Sequence, residues 1–334
     1  MPWSEPGVVG WLAFHLLFAM AGTWLARRYA LRRRLLDHPG ERRSHAVATP
    51  RGGGVAIALT LLLACGWLAW RHPAQAPMLS GWGVGLAMVA LAGWFDDHRP
   101  TSPWLRLGVH VVAALLFAAG TWYHAGWSWL VLLAFAAPLV LTNVWNFMDG
   151  IDGLAASQAA LAAAALAWLA GGPWAWLALA LFAACCGFLP FNAPRARIFL
   201  GDVGSGATGF AVGGLLTAAA MTDARAGLLA LFPLSAFLLD AGLTLGNRMR
   251  RGERWWTPHV SHAYQICSRS LERHAPVTLA YALWTLLGLA PLFFFRNVSF
   301  TSLIIPLLTW YACGSLLWLW LQRGETTREV ENME

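Results

Sequence analysis

Residues 79–100 read LSGWGVGLAMVALAGWFDDHRP and contain the pattern that decides the fold. The run from Leu79 to Phe95 carries no charged residue and is long enough to cross a bilayer, for which a helix needs about 17–25 residues. The run ends at two adjacent carboxylates, Asp96 and Asp97. Carboxylates at the end of a membrane span are costly, so the sequence predicts that this pair has a function.

The composition extends this interpretation to the whole chain. Of the 334 residues, 58% are hydrophobic and only 12% are charged, whereas soluble domains contain about 25% charged residues. The sequence therefore predicts an all-α polytopic bundle of 10–11 transmembrane helices, forming one domain over residues 1–322 with a short cytoplasmic tail at 323–334. The runs that we interpret as spans lie near residues 7–26, 53–70, 79–95, 105–122, 128–145, 153–171, 174–190, 204–221, 226–246, 276–295 and 299–321.

The basic residues indicate how the chain lies in the membrane. All 23 of them are arginine, and 20 fall in segments on one side of the predicted spans, against Arg71, Arg225 and Arg296 on the other. By the positive-inside rule the arginine-rich side is cytoplasmic, which explains the net charge of +7 without a nucleic-acid partner. We interpret the first apolar run, from Gly7, as a retained span and not a signal peptide.

Four polar clusters fall at the predicted cytoplasmic ends of spans, as one shared active site would require. In the second cluster, residues 143–153 (NVWNFMDGIDG), Asn146, Asp149 and Asp152 are spaced three apart and would line one face of a helix end. Amide and carboxylate oxygens suit Mg²⁺, which binds protein through few ligands and also binds substrate phosphates. A polar turn without function is the alternative.

The third cluster is FLGDVGSG at residues 199–206. Asp202 is followed by small residues and then by an apolar helical run, so backbone N–H groups at a helix start lie beside a carboxylate. Such a start favours phosphate, and Asp202 can hold a metal ion. The alternative is that Asp202 only caps the helix.

The first and fourth clusters are less specific. Asp96 and Asp97 could bind a divalent cation, act as a general base or simply end a span; as neighbours on a helix they point about 100° apart, so we expect them to have different partners. In the last predicted cytoplasmic loop, His259 and His262 lie among several arginines. We expect these histidines to contact phosphate or sugar, although many of the arginines would serve only as membrane anchors.

Together the clusters favour phosphoryl transfer from a cytosolic nucleotide donor to a lipid acceptor. The competing prediction is a membrane transporter that uses the carboxylates for ion or proton coupling.

In order and spacing the clusters resemble those of the polyprenyl-phosphate N-acetylhexosamine-1-phosphate transferases of glycosyltransferase family 4. The resemblance extends from Asp37-His38-Pro39, with Arg42, His45 and the segment 50–54 (PRGGG), through to the His259 loop. The His259 segment, HVSHAYQ, lacks the consecutive histidines of the phospho-N-acetylmuramoyl-pentapeptide translocases and looks more like the O-antigen-initiating members.

The resemblance implies a role for each matching position. Asp202 would bind Mg²⁺, with Mn²⁺ as an alternative, and Asn146 would share the metal. Phe199 would stack on uracil, Asp152 and Asn192 would belong to the nucleotide site, and Asp149 would lie beside them. Asp96 and Asp97 would activate or position the lipid phosphate. The resemblance does not indicate which of the two would be the base.

The implied reaction is attack by undecaprenyl phosphate on the β-phosphate of a UDP-N-acetylhexosamine or its deoxy relative. UMP would leave, and a lipid-linked diphosphosugar would begin a glycan such as O-antigen. The implied location is the bacterial inner membrane, with the active site facing the cytoplasm. A homodimer is one assembly that the resemblance allows.

Overall fold

The computed structural model describes residues 7–38, 47–254, 256–257 and 259–331, with residues 323–331 described by their main chain alone. A two-residue antiparallel ladder joins β1 (Leu36–Asp37) to β2 (Thr49–Pro50). The helices, in chain order, are α1 (Val8–Arg33), α2 (Val55–Arg71), α3 (Ala76–His98), α4 (Pro103–Ala125), α5 (Trp129–Phe147), α6 (Leu154–Leu169), α7 (Gly172–Asn192), α8 (Gly201–Thr222), α9 (Ala224–Arg250), α10 (Ala263–Leu271), α11 (Ala275–Leu287), α12 (Ala290–Phe294) and α13 (Phe300–Glu331).

The predicted all-α membrane bundle is confirmed. Over the described residues, nine helical segments are long and apolar enough to cross a membrane, and α2 and α6 are shorter apolar helices. Together these eleven match the eleven predicted runs, with α11 and α12 forming the tenth. Three helices continue well past the predicted run: α1 ends at Arg33, α9 at Arg250 and α13 at Glu331. Arginine in a last helical turn is favourable because it faces the negative end of the helix dipole.

Helix α8 is the centre of the bundle, and its apolar stretch is completely buried. It packs against α3, α5, α6 and α9, which small residues make possible because they let helix backbones approach closely. A Cβ atom on Gly209 would lie 2.3 Å from the carbonyl oxygen of Leu141, and one on Gly213 would lie 2.4 Å from Cα of Pro138. The glycine-rich composition of α8 therefore determines how closely α5 lies against it.

The first turn of α8 lies where several other elements end. The loop after β2 is attached to the segment before α8 by main-chain hydrogen bonds: Phe199 donates to Pro50 over 2.7 Å, Gly53 donates to Phe199 over 2.9 Å, and Gly54 donates to Leu200 over 2.8 Å. The carboxyl ends of α3 and α5 reach the same place. This end of the bundle contains the polar residues singled out in the sequence.

Candidate active site

A polar cavity of about 330 Å³ opens at the start of α8. It is bordered by the ends of α3, α5 and α7, so it collects residues that are more than 100 positions apart in the chain. Arg51 and His274 also contribute to its wall. The candidate residues from the sequence that line it are Asp96, Asn146, Asp149, Asp152, Asn192, Phe199 and Asp202.

Asp202 is held by side chains from two other helices. Asn146 donates from Nδ2 to Oδ1 of Asp202 over 2.9 Å, and Arg106 donates from Nη1 to Oδ2 over 2.9 Å. The residue before it, Gly201, has φ of +76°, a left-handed conformation that favours glycine. The carboxylate of Asp202 thus interacts with α4 and α5 and faces the cavity, which goes beyond the capping role weighed as its alternative.

Asp97 is a connector between α3, the loop before α2 and α8. Its Oδ1 accepts hydrogen bonds from Arg51 Nε over 2.9 Å and from Arg51 Nη2 over 2.6 Å. The same carboxylate accepts the backbone N–H groups of Asp202 over 3.0 Å and Val203 over 3.2 Å. Only 2% of the Asp97 side chain is exposed. Its four hydrogen bonds attach Arg51 to the positive end of α8.

Asp96 has different partners, as the helical angle between neighbouring residues predicted. Its Oδ1 accepts the backbone N–H of Thr101 over 2.7 Å and the Thr101 hydroxyl over 2.6 Å. Arg106 donates from Nη1 to its Oδ2 over 3.2 Å and so bridges Asp96 to Asp202. Asp96 lines the polar cavity, whereas Asp97 borders a separate apolar groove between α1, α2 and α3.

Asp149 lies in the loop between α5 and α6, where its surroundings disfavour the ionised form of its side chain. Removal from water, together with the nearby carboxylates of Asp202 and Asp97, raises the pKa of Asp149 to about 8. A positive charge in the cavity would favour its ionised form. This arrangement suits a site that receives a cation or a positively charged group.

Asp152 and Asn192 shape the wall of the cavity opposite Asp96. Asp152 Oδ2 accepts the backbone N–H of Ala196 over 3.1 Å and lies 3.3 Å from His274 Nδ1. Asn192 is 5% exposed; its Oδ1 accepts the N–H of Gly153 over 2.9 Å, and its Nδ2 donates to the carbonyl of Ile198 over 3.1 Å. Asn192 therefore fastens the loop after α5 to the segment before α8.

Phe199 is the aromatic residue on this wall. Its ring is half-buried, and the ladder of main-chain bonds to the segment after β2 fixes its backbone. A half-buried ring at the rim of a polar cavity offers a face on which a planar base can stack.

A second and larger cavity, of about 570 Å³, meets the first at Asn146, Asp149 and Asp202. Its wall is mostly apolar and includes Trp104 and Val140, whose side chains are 57% and 51% exposed on the outside of the bundle. The exposed apolar wall means that this cavity reaches the surface that contacts lipid. His259 and His262 line this second cavity and do not border the first.

Comparison with known proteins supports the family resemblance. The model described as glycosyl transferase family 4 matches residues 79–220. A decaprenyl-phosphate N-acetylglucosaminephosphotransferase of Mycobacterium tuberculosis is 28% identical, covering 97% of this chain and 91% of the relative. Over residues 79–220 the chain is therefore similar to glycosyl transferase family 4, the family that its motifs resemble.

Two further relatives narrow this similarity. An undecaprenyl-phosphate alpha-N-acetylglucosaminyl 1-phosphate transferase of Escherichia coli K12 is 26% identical over 89% of this chain and 88% of the relative. A phospho-N-acetylmuramoyl-pentapeptide-transferase of Limosilactobacillus fermentum is 33% identical, but over only 48% of this chain and 57% of the relative. The similarity to the N-acetylglucosamine phosphotransferases extends over far more of the chain.

The residues of the polar cavity fit a magnesium ion. Asp149 and Asp202 offer carboxylate oxygens to one cavity, and Asn146 offers an amide oxygen once its side chain rotates. Within the described residues, three or more His, Cys, Asp or Glu side chains do not cluster in a manner that would form an all-protein metal cage. Mg²⁺ sites that use substrate phosphates need only one or two carboxylates, so this donor set is sufficient.

Two residues of the site and one buried carboxylate behind it are not identified from the sequence. Arg106 is one of the arginines that the positive-inside rule explains as cytoplasmic, yet it bridges Asp96 and Asp202. His274 belongs to the same arginine-rich predicted loop as His259, yet it lies against Asp152. Asp240 lies inside the predicted span 226–246 and lines neither cavity, but an acid within a span is itself a signal of function.

Some of the predicted motif lies outside the described residues. Pro39, Arg42 and His45, which carry part of the family resemblance, belong to this group, as do Trp255 and Pro258 next to the His259 segment.

Proposed function

We propose that this protein transfers N-acetylhexosamine 1-phosphate from a UDP-sugar to undecaprenyl phosphate and releases UMP. The Mycobacterium tuberculosis and Escherichia coli relatives are named as N-acetylglucosamine phosphotransferases, which makes UDP-N-acetylglucosamine the first donor to test. The product would be the first lipid-linked intermediate of a surface glycan such as O-antigen, made at the cytoplasmic face of the bacterial inner membrane.

The meeting of two unlike cavities carries this proposal. The polar cavity, with its carboxylates and the ring of Phe199, suits a nucleotide sugar, while the apolar cavity with lipid-facing walls suits a polyprenyl chain. They share Asn146, Asp149 and Asp202. A donor and an acceptor bound in the two cavities would therefore bring their phosphates together beside these three side chains.

The transfer itself is one displacement at phosphorus. An oxygen of the lipid phosphate forms a bond to the β-phosphorus of the donor, and the bond from that phosphorus to the oxygen bridging the α-phosphate breaks. The bridging oxygen leaves with UMP, and the sugar with its phosphate stays on the lipid as a diphosphate. The lipid phosphate is already an anion near neutral pH, so the step needs positioning and charge neutralisation more than a base.

The residues divide this work by their positions. Asp202 and Asn146, with Asp149, would hold Mg²⁺, which when bound neutralises charge on the donor diphosphate and leaving group. Arg106 lies at the junction of the cavities and can donate to a phosphate oxygen in place of Asp202 or Asp96. Phe199 would stack on the base, while Asp152 and Asn192 maintain the wall around it. His259 and His262 would contact phosphate or sugar from the side of the apolar cavity.

A transporter gains no support from these positions. Asp96, Asp149 and Asp202 lie at helix ends on one face of the bundle, whereas ion-coupled transport sites lie near the membrane midplane.

The test is an assay of purified protein with UDP-N-acetylhexosamines, undecaprenyl phosphate and Mg²⁺. We expect a butanol-extractable sugar diphospholipid and an equal amount of UMP, both abolished by EDTA and restored by Mg²⁺. Asp202→Asn should lose the reaction. Asp223→Asn is the matched control, because Asp223 lies just after the other end of α8 and pairs with Arg225. Absence of product with every UDP-amino sugar, or full activity of Asp202→Asn, would contradict the proposal.

A further inference from the structure

Asp240 is a buried carboxylate inside α9, in a span that the sequence presents as apolar, and it is 2% exposed. Its oxygens accept hydrogen bonds from the Tyr281 hydroxyl over 2.6 Å, from Trp318 Nε1 over 3.2 Å and from the Thr244 hydroxyl over 3.2 Å. A carboxylate so far from water is retained only where its partners compensate for the lost hydration. The donors around Asp240 supply this compensation.

Two more donors come from the start of α10. The backbone N–H groups of Ala263 and Tyr264 donate to Asp240 over 2.8 and 3.1 Å. Unpaired N–H groups and the positive end of the dipole are found at a helix start, so a carboxylate is favoured there. Asp240 thus attaches α10, and the loop that precedes it, to the membrane-embedded part of the protein.

That attachment reaches the active site through His262. The imidazole Nδ1 lies 3.6 Å from Asp240 Oδ1, and the side chain is 4% exposed. Within the described residues, this nitrogen is buried and has no partner at hydrogen-bond distance, so a movement of a few tenths of an ångström would make the bond to Asp240. The ring of His262 makes stacked contacts with Phe147 and Tyr264, and it lines the apolar cavity.

Tyr264 connects the same start of α10 to the metal-binding loop. Its hydroxyl donates to the carbonyl of Phe147 over 3.0 Å, at the end of α5 and three residues before Gly150. A Cβ atom on Gly150 would lie 2.2 Å from that hydroxyl, so the two segments are in close contact. The position of α10 therefore affects both His262 and the segment that follows Asn146.

We infer that Asp240 is a positioning residue that acts through His262. A carboxylate that accepts from Nδ1–H fixes the tautomer of a neutral imidazole and leaves Nε2 as an acceptor toward the cavity. Asp240 is itself on the far side of His262 from the cavity and does not touch the proposed substrates. This inference rests on the proposed function, because His262 is assigned to contact with phosphate or sugar there.

The test is a double-variant comparison of Asp240→Asn and His262→Gln in the purified, full-length protein. We expect each single variant to lower kcat about 10- to 100-fold and to change the donor KM less than threefold. Because Asp240 acts through His262, the double variant should be no slower than His262→Gln alone. Effects that multiply in the double variant, or a kcat of Asp240→Asn within twofold of wild type, would overturn the inference.

A milder pair of variants covers the case in which Asp240→Asn does not fold. Trp318 and Trp310 both lie on α13 and both donate from Nε1 to α9, the first to Asp240 and the second to Ser235 over 2.7 Å. Trp318→Phe should lower kcat about two- to fivefold, and this loss should vanish in the His262→Gln background. Trp310→Phe is the control and should leave kcat unchanged. Equal losses for the two tryptophan variants would indicate a purely structural role.

The two failures can be told apart. If wild-type protein forms no sugar diphospholipid, the proposed function fails. If wild-type protein is active but the losses multiply, only the role of Asp240 fails.

Discussion

Replacing Asp97 by asparagine tests whether this residue positions α8 or takes part in the chemistry. The amide has one acceptor oxygen in place of two, and its NH₂ group would then face the N–H of Val203 where Oδ2 now accepts. A buried donor left without an acceptor costs about 1–3 kcal/mol. Arg51 keeps a hydrogen-bond acceptor, but that acceptor is no longer negatively charged. The weaker hydrogen bond costs roughly 1 kcal/mol more. We expect a loss of about 3 kcal/mol in the free energy of unfolding.

The coupling between Asp97 and Arg51 isolates the part of this loss that the ion pair carries. Unfolding by SDS titration in mixed micelles, followed by circular dichroism, would be compared for Asp97→Asn, Arg51→Gln and the double variant. Because Arg51 donates two hydrogen bonds to Asp97 and only 2% of the Asp97 side chain is exposed, we expect a coupling energy of about 1–2 kcal/mol. The same cycle on Asp223 and Arg225, an exposed pair, is the control and should show no measurable coupling.

Two outcomes would refute this reasoning. Additive losses in the Asp97 and Arg51 variants would mean that the pair does not hold the loop to α8. A variant Asp97→Asn with wild-type stability and a large loss of kcat would mean that the carboxylate acts on the lipid phosphate, as the family resemblance implied.

Three further predictions follow from other contacts. Gly93→Ala should reduce kcat strongly in the transfer assay, because the new Cβ would lie 2.3 Å from the carbonyl oxygen of Asp202. Gly108→Ala is the control and should behave as wild type, because the space around Gly108 is open. Asn192→Ala leaves the buried N–H of Gly153 and the buried carbonyl of Ile198 without their partner. We therefore expect the free energy of unfolding, measured by SDS titration, to fall by roughly 2–4 kcal/mol. A variant within about 0.5 kcal/mol of wild type would contradict this prediction. Burial and neighbouring positive groups lower the pKa of His259 to about 4, so its imidazole is neutral above about pH 5. The variant His259→Gln should therefore keep the wild-type shape of the kcat profile from pH 5.5 to 8.5. Loss of a titration from that pH range in the variant would contradict this prediction.

Local spacing in the sequence predicted much of the site. Asn146 lies in the last turn of α5, Asp149 and Asp152 lie in the loop after it, and Asp202 lies at a helix start. That they lie at the same end of the bundle therefore follows once the spans are known. The same reasoning failed for Arg106. An arginine in the first turn after a polar loop resembles a membrane anchor, and nothing near it in the chain indicates that it contacts Asp202, 96 positions away.

Asp96 and Asp97 show the limit most clearly. Their helical geometry predicted different partners, and the hydrogen bonds agree. Which of them would face the cavity depended on the direction from which α8 approaches α3. That approach is set by close packing at glycines such as Gly93, a contact between segments about 110 residues apart.

The sequence by itself determined the all-α membrane fold, the apolar runs that form its membrane helices and the end of the bundle at which the polar clusters lie. These features depend on the length of apolar runs and on charge in adjacent loops, which are local properties that the bilayer selects. Only the tertiary structure decided that Asp97 braces α8, that Arg106 bridges two carboxylates and that Asp240 holds the start of α10. Those pairings depend on side chains from distant segments, and the packing of helices around α8 brings them within hydrogen-bond distance.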